Sequence, residues 1–175
     1  MKLPYLASIA AFSFANLWTQ TSSVNAGEID FACGSWRDKP VTVAQTPNRN
    51  VILIEWATDW VQNSSDDPSL SPQSRCETVS DNFQQAYDSG QLEYITTGFK
   101  DGQSIICVAE YYEGPCESQL FTLKPGSDPK QSLNQLMKIS NNDASRSDGP
   151  LVQSSGERIY VDFNDFLNNA PELEN

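Results

Sequence analysis

Four cysteines, Cys33, Cys76, Cys107 and Cys116, constrain this 175-residue chain more than any other feature. No C-x-x-C pair occurs among them and the chain has no histidine, so the set does not read as a metal site. In an oxidising compartment an even set reads as two disulfides. Three pairings are open on paper. Cys107 and Cys116 flank a short Glu/Tyr/Gly/Pro segment, which points to a local clip across two strands and leaves Cys33 to Cys76.

The first 26 residues supply the compartment. Lys2 and the amino terminus give a positive end, Leu3 to Trp18 is mostly apolar, and Thr19 to Asn25 is polar. Val24-Asn25-Ala26 then satisfies the small-residue rule for cleavage before Gly27. Residues 1–26 therefore read as a signal peptide and 27–175 as a single domain. An apolar stretch of about 16 residues, broken by Pro4, falls short of the ~20 that a bilayer span takes. The export reading places the protein outside the cytoplasm, and no cofactor is expected.

Periodicity supplies the elements. Val41 and Val43 begin a short strand, and Pro47-Asn48-Arg49-Asn50 is turn chemistry. Val51 to Ala57 is apolar on both faces, as a covered central strand should be. Ser71, Pro72 and Gly90 bracket a helix as cap, first position and stop. Between them Cys76, Val79, Phe83, Ala86 and Tyr87 share one apolar face, with Gln84 expected on the polar side. Leu92 to Phe99 and Ser104 to Tyr112 read as a hairpin around Asp101-Gly102. Leu120 to Leu123 is a further strand, and Asp128-Pro129-Lys130-Gln131 opens a helix on Leu133, Leu136 and Met137. Ile159 to Val161 is a short strand, and Asp162 caps a final short helix carrying Phe166 and Leu167. The expected fold is α+β: one antiparallel sheet of five or six strands, two or three helices and two disulfides.

Composition removes whole classes of function. With 11 Lys+Arg against 23 Asp+Glu, a net charge of -12 and a pI near 4.2, the chain repels phosphate backbones, which argues against nucleic acid as a partner. Without histidine, every Ser-His-Asp or Cys-His device is excluded. Several short motifs have duller readings. Asp88-Ser89-Gly90 matches the aspartic-protease triplet but sits at a helix end rather than after an apolar strand. Ser127-Asp128-Pro129-Lys130 and Ser80-Asp81-Asn82 occur in the wrong order for a penicillin-recognising site, and no Lys-Thr-Gly follows. Asn141, Asp143, Ser145, Ser147 and Asp148 suggest a calcium loop, but Asp148 and Ser154 stand where glycine and glutamate are wanted. Asp66-Asp67 reads as a wet loop. No catalytic, cofactor-binding or metal residue is assigned. Trp56 reads as core, whereas Trp36 and Trp60 are the candidate partner contacts.

An ordered set of residues carries a resemblance. It begins with Trp56, Arg75-Cys76 with Val79-Ser80 and Phe83, and Tyr94-Ile95-Thr96-Thr97-Gly98. It continues through Gly102-Gln103, Ile105-Ile106-Cys107-Val108-Ala109, Cys116 and Leu120-Phe121-Thr122-Leu123. Together these resemble the circadian oscillating protein (COP) domain family of cyanobacteria, from about Cys33 to Leu167. The resemblance implies an extracytoplasmic location, whether periplasm, thylakoid lumen or secreted, with a membrane-peripheral one among the options. It carries no catalytic or cofactor residue to this chain, and the cysteines and the Arg75-Cys76 helix pattern map as structural. The leading functional expectation is a non-enzymatic binding or surface module, with a protein or a membrane surface as the kind of partner. One rival is a small enzyme that uses Glu55, Glu93, Glu110 and Asp162 as acid and base. The other is a secreted inhibitor presenting the loop from Gln62 to Pro72 to a hydrolase.

Overall fold

Helix α1, Pro72–Asp88, holds the fold together, and its ends follow from side-chain chemistry. Ser71 lies in extended backbone and its hydroxyl accepts from the Ser74 amide at 3.1 Å, closing one donor of the open first turn. At the other end the Gly90 backbone turns left-handed (φ 72°) and its amide returns to the Tyr87 carbonyl, so Asp88-Ser89-Gly90 is a helix stop. Cys76, Val79, Ser80, Phe83 and Ala86 are buried, while Tyr87 is half-buried. The computed structural model describes residues 28–56, 68–140, 151–152, 158–170 and 172–173.

Two antiparallel sheets pack on α1. The first has β1 (Asp30–Trp36), β2 (Lys39–Gln45) and β3 (Asn50–Glu55) in sequence order. The second contains β4 (Tyr94–Lys100), β5 (Gln103–Ala109), β6 (Ser118–Thr122), β7 (Leu151–Val152) and β8 (Tyr160–Asp162), in the order β6-β5-β4-β8-β7. Helix α1 lies against β1, β2 and β6, and α2 (Pro129–Ser140) lies against β3, β4 and β5, so both helices bridge the sheets. A short α3 (Phe163–Asn169) follows β8, its Asp165 amide bonded to the Asp162 carboxylate at 2.9 Å. Asp128 performs the same service for α2 through the Gln131 amide at 2.8 Å.

The α+β class and both disulfides stand as expected, but among the described residues the strands form two sheets, of three and five, rather than one of five or six. The physical reason is visible in β1. Only Phe31 is fully buried there, because one side of this edge strand meets a helix, so no alternating pattern marks it in the sequence. Two-residue β7 is too short to show any period.

The core joins the inner faces of both sheets to the helices. Phe83 is stacked on Phe31 with centroids 5.5 Å apart and tilted against Phe163 at 6.4 Å. Leu53, Ile95, Ile106, Val108, Leu120, Leu133 and Val161 fill the space around them. Phe83 marks the centre of the buried helical face, and its sequence neighbours point about 100° to either side. Each ties down a different sheet. The Gln84 side chain accepts from the Phe31 amide on the outer edge of β1 at 2.8 Å. The Asn82 amide donates to the Leu120 carbonyl of β6 at 2.7 Å. Gln84 is therefore not a free polar-face residue. The free edge of β3 is met by the C-terminal segment, where the Leu173 amide donates to the Asn50 carbonyl at 2.8 Å.

Disulfide Cys33–Cys76 (Cα–Cα 5.4 Å) fastens β1 to α1, and Cys107–Cys116 (5.7 Å) closes the β5–β6 connection. That connection folds back over the outer face of the second sheet. Tyr112 packs against Tyr94 and Tyr160, and the Tyr160 hydroxyl donates to the Gly114 carbonyl at 2.7 Å. Gly98 makes the close approach feasible: a Cβ there would lie 2.8 Å from Cys116 Sγ and 3.2 Å from Cys107 Sγ.

Candidate functional site

A cleft of about 210 Å³ opens between α1, β6 and the end of β3. Its floor is Trp56, which is 5% exposed. The ring is held in place: its Nε1–H donates to the buried Thr42 hydroxyl at 3.0 Å, and the Ser80 hydroxyl donates to the same oxygen at 3.3 Å. Thr42 sits at a register shift between β2 and β3, a place where a strand re-aims a side chain. All three polar groups of this buried triad are thereby partnered, as burial demands. Ser80 has this structural task, and Asn82 has the edge contact above.

Arg75 lies over the Trp56 ring with its Cζ 4.6 Å from the centroid, a cation–π arrangement. Burial pulls its pKa down from the ordinary value to about 10, so the guanidinium remains charged at neutral pH. Phe121 meets the Trp56 ring edge-on at 5.9 Å and 79°. Arg75, Thr78, Val79 and Asn82 line the helical wall, and Gln119 to Thr122 line the strand wall. The helical residues fall at i, i+3, i+4 and i+7, one stripe of α1. No aspartate or glutamate is among the described residues lining this cleft. A cation, amides, hydroxyls and aromatic rings are groups that hold a ligand.

Trp36 ends β1, half-buried against the cluster of Val41, Val43 and Ile52, with the Arg37 guanidinium 4.0 Å from its ring centroid. Trp60 lies outside the described residues, as do Asp66-Asp67, residues 62–67 of the expected inhibitor loop and the span from Asn141 to Asp148. Of the carboxylates, Glu55 is paired with Lys39 on the first sheet. Asp162 caps α3, and Glu93 and Glu110 are exposed at one end of the second sheet. None of the four lines either described cleft. The second cleft, beside the β4–β5 hairpin, is bounded by Phe99, Lys124 and Asp128, with Phe99 73% exposed. Among the described residues no group of three or more His, Cys, Asp or Glu is placed to hold a metal, and no helix is long and apolar enough to cross a membrane.

Sequence reasoning did not single out Arg75, Asn82 or Phe121 as a site. One signal was present: Arg75 directly precedes an inward-pointing cysteine, which sets it at the margin of the buried face.

No curated protein and no solved structure matches the chain. The family model described as circadian oscillating protein COP23 matches residues 30–168, from the start of β1 to the last turn of α3, with all four cysteines inside the span. The chain belongs to the circadian oscillating protein COP23 family.

Proposed function

We propose that this is an exported, non-enzymatic binding module that works through the cleft over Trp56. One observation carries the reading: a half-buried guanidinium stacked on a fixed indole, in a cleft without a carboxylate on its described lining. Such a wall is preorganised, which reduces the ordering cost of binding. The leader read at residues 1–26 and the two disulfides support export. The lack of any histidine, together with four candidate carboxylates outside the cleft, favours binding over acid–base catalysis.

The test is a fragment screen by NMR on the mature protein and on Thr78→Trp, whose exposed position on the cleft wall lets the new ring fill the space without touching the core. Cleft binders should move the Trp56 indole resonance in the native protein and not in Thr78→Trp. Fragments that map elsewhere, or bind both proteins alike, defeat the reading.

A further inference from the structure

The two ends of the β4–β5 hairpin differ in charge and share one trait, an exposed ring. From them we propose that copies of this protein dock head to tail, the turn that carries Tyr111 on one copy entering the cleft beside Phe99 on the next.

Phe99, 73% exposed, and Tyr111, 59% exposed, are the two large apolar side chains left in water among the described residues. Single exposed rings are ordinary, so their surroundings decide what they mean. The paired strands are seven residues long, which sets the two ends about 20 Å apart. Phe99 borders the second cleft, about 460 Å³ in volume, together with Lys124, Pro125 and Pro129. Lys100 and Lys130 are exposed, and each adjoins a lining residue. Tyr111 stands two residues past β5, at the end where Glu93, Glu110, Glu113 and Glu117 are exposed.

Charge separates these ends. Among the described residues Arg37 and Arg75 stack on tryptophans, and Lys39 and Arg49 pair with glutamates. Lys100, Lys124 and Lys130 make no ion pair, and all three gather beside Phe99. Asp101 and Asp128 lie there too, although Asp128 is occupied as the cap of α2. The four glutamates of the other end are likewise outside any ion pair. At physiological ionic strength charge is screened over about 8 Å, so each end acts by itself. Phe99 against Phe99 would set lysines on lysines, and Tyr111 against Tyr111 would set glutamates on glutamates. The pairing that charge favours joins one end to the other, a heterologous contact.

The entering turn is fixed beforehand. The Gly114 amide donates to the Tyr111 carbonyl at 2.9 Å, the Tyr160 hydroxyl donates to the Gly114 carbonyl, and the Cys107–Cys116 bond closes the base. Glu113 is left-handed at φ 63°, a conformation that persists in a residue with a side chain only where its surroundings impose it. Such preorganisation lowers the cost of docking. The contact is small and each copy carries a net charge of -12, so the expected Kd is on the order of 0.1 mM.

Sedimentation velocity of the mature protein between about 0.01 and 1 mM tests this, and the mean sedimentation coefficient should rise across that range. Phe99→Ser and Tyr111→Ser, both at exposed positions that the core does not need, should each weaken association by about tenfold or more. An equimolar mixture of the two should associate again, because each supplies the end that the other lacks, and should stop at two copies. Glu110→Gln/Glu113→Gln lowers the repulsion between whole molecules, yet it should weaken association by about threefold or more, because the local attraction is lost. A protein that stays monomeric to about 1 mM overturns the proposal. So does a serine variant that associates as the native protein does, a mixture that gains nothing or grows past two copies, or a Glu110→Gln/Glu113→Gln protein that associates as tightly as the native one.

Discussion

Gly98→Ala offers a direct test of how the clipped connection is seated on the second sheet. The backbone at Gly98 is not among the positive-φ positions, so alanine fits the chain conformation, and the substitution alone would stabilise by about 0.4–1 kcal/mol through the unfolded state. Against this, the new methyl would lie 2.8 Å from Cys116 Sγ, 3.2 Å from Cys107 Sγ and 3.2 Å from Ile105 Cγ1. Such overpacking costs about 1–3 kcal/mol. The net loss should be about 1–2 kcal/mol, or roughly 2–8 °C in Tm for a domain of this size. The same change in a Cys107→Ala/Cys116→Ala background meets no sulfur, which leaves the Ile105 Cγ1 contact at 3.2 Å, a few tenths of an ångström to be taken up in the space the sulfurs vacate. There it should be neutral or stabilising by up to about 1 kcal/mol. The clipless background itself loses about 2.5 kcal/mol of loop entropy for a separation of 9 residues, which an ordinary stability of about 5–15 kcal/mol survives. Guanidinium melts of the four proteins close the double-mutant cycle, with an expected coupling of about 2 kcal/mol. An equal loss in both backgrounds would refute the reasoning, since the clash would then lie with something other than the disulfide.

Phe83→Ala should cost about 3–5 kcal/mol, the range for a fully buried aromatic, as read from denaturant melts. Gln84→Ala next to it should cost about 1 kcal/mol, because the Phe31 amide loses its acceptor; a change under about 0.3 kcal/mol would show that water replaces the bond. Arg49→Ala should cost about 1.5–3 kcal/mol in the same assay, because Arg49 Nη2 donates to the Leu167 and Asn168 carbonyls at 2.6 and 2.9 Å at the end of α3. Arg49→Lys, which lacks the fork, should recover only part of this. The Tyr112 phenol has its pKa raised by partial burial, then by Glu113 and the neighbouring tyrosines, so the folded protein holds that proton while the unfolded chain releases it near pH 10. Stability should therefore fall as pH rises through 10, and Tyr112→Phe should flatten that fall in alkaline melts.

Much of the fold was legible because its signals are local. The Ser71-Pro72 start and Gly90 stop of α1, the Asp101-Gly102 hairpin and the Asp128 and Asp162 caps depend on a few adjacent residues, and each appears where the residue types place it. The disulfide pairing was legible because Cys76 falls on a helical stripe with Val79 and Phe83, and because Cys107 and Cys116 are close in sequence. The partition into two sheets was not, since β4 pairs with β8 across 60-odd residues, and no local pattern records such a choice. The cleft was hidden for a similar reason. Arg75, Trp56 and Phe121 come from three separate stretches of the chain, and only the packing of α1 against both sheets brings them together. Gln84 was misjudged because a helical wheel records polarity but not what stands opposite it; the partner is an unpaired amide on β1.

The two tethers on either side of Phe83 also bear on how the protein fails. Exposed strand edges are templates for intermolecular pairing, and proteins commonly guard each edge separately. Here one helix guards β1 through Gln84 and β6 through Asn82, so a single local opening of α1 uncovers two edges on two sheets at once. Such an opening frees two growth surfaces per molecule, the valence a linear chain of molecules needs to propagate. The Cys33–Cys76 bond, which keeps the helix leashed to β1 after its hydrogen bonds have opened, is then a restraint on self-association as well as on unfolding. Reducing conditions should accordingly speed clumping near the melting temperature by more than the lost stability alone accounts for.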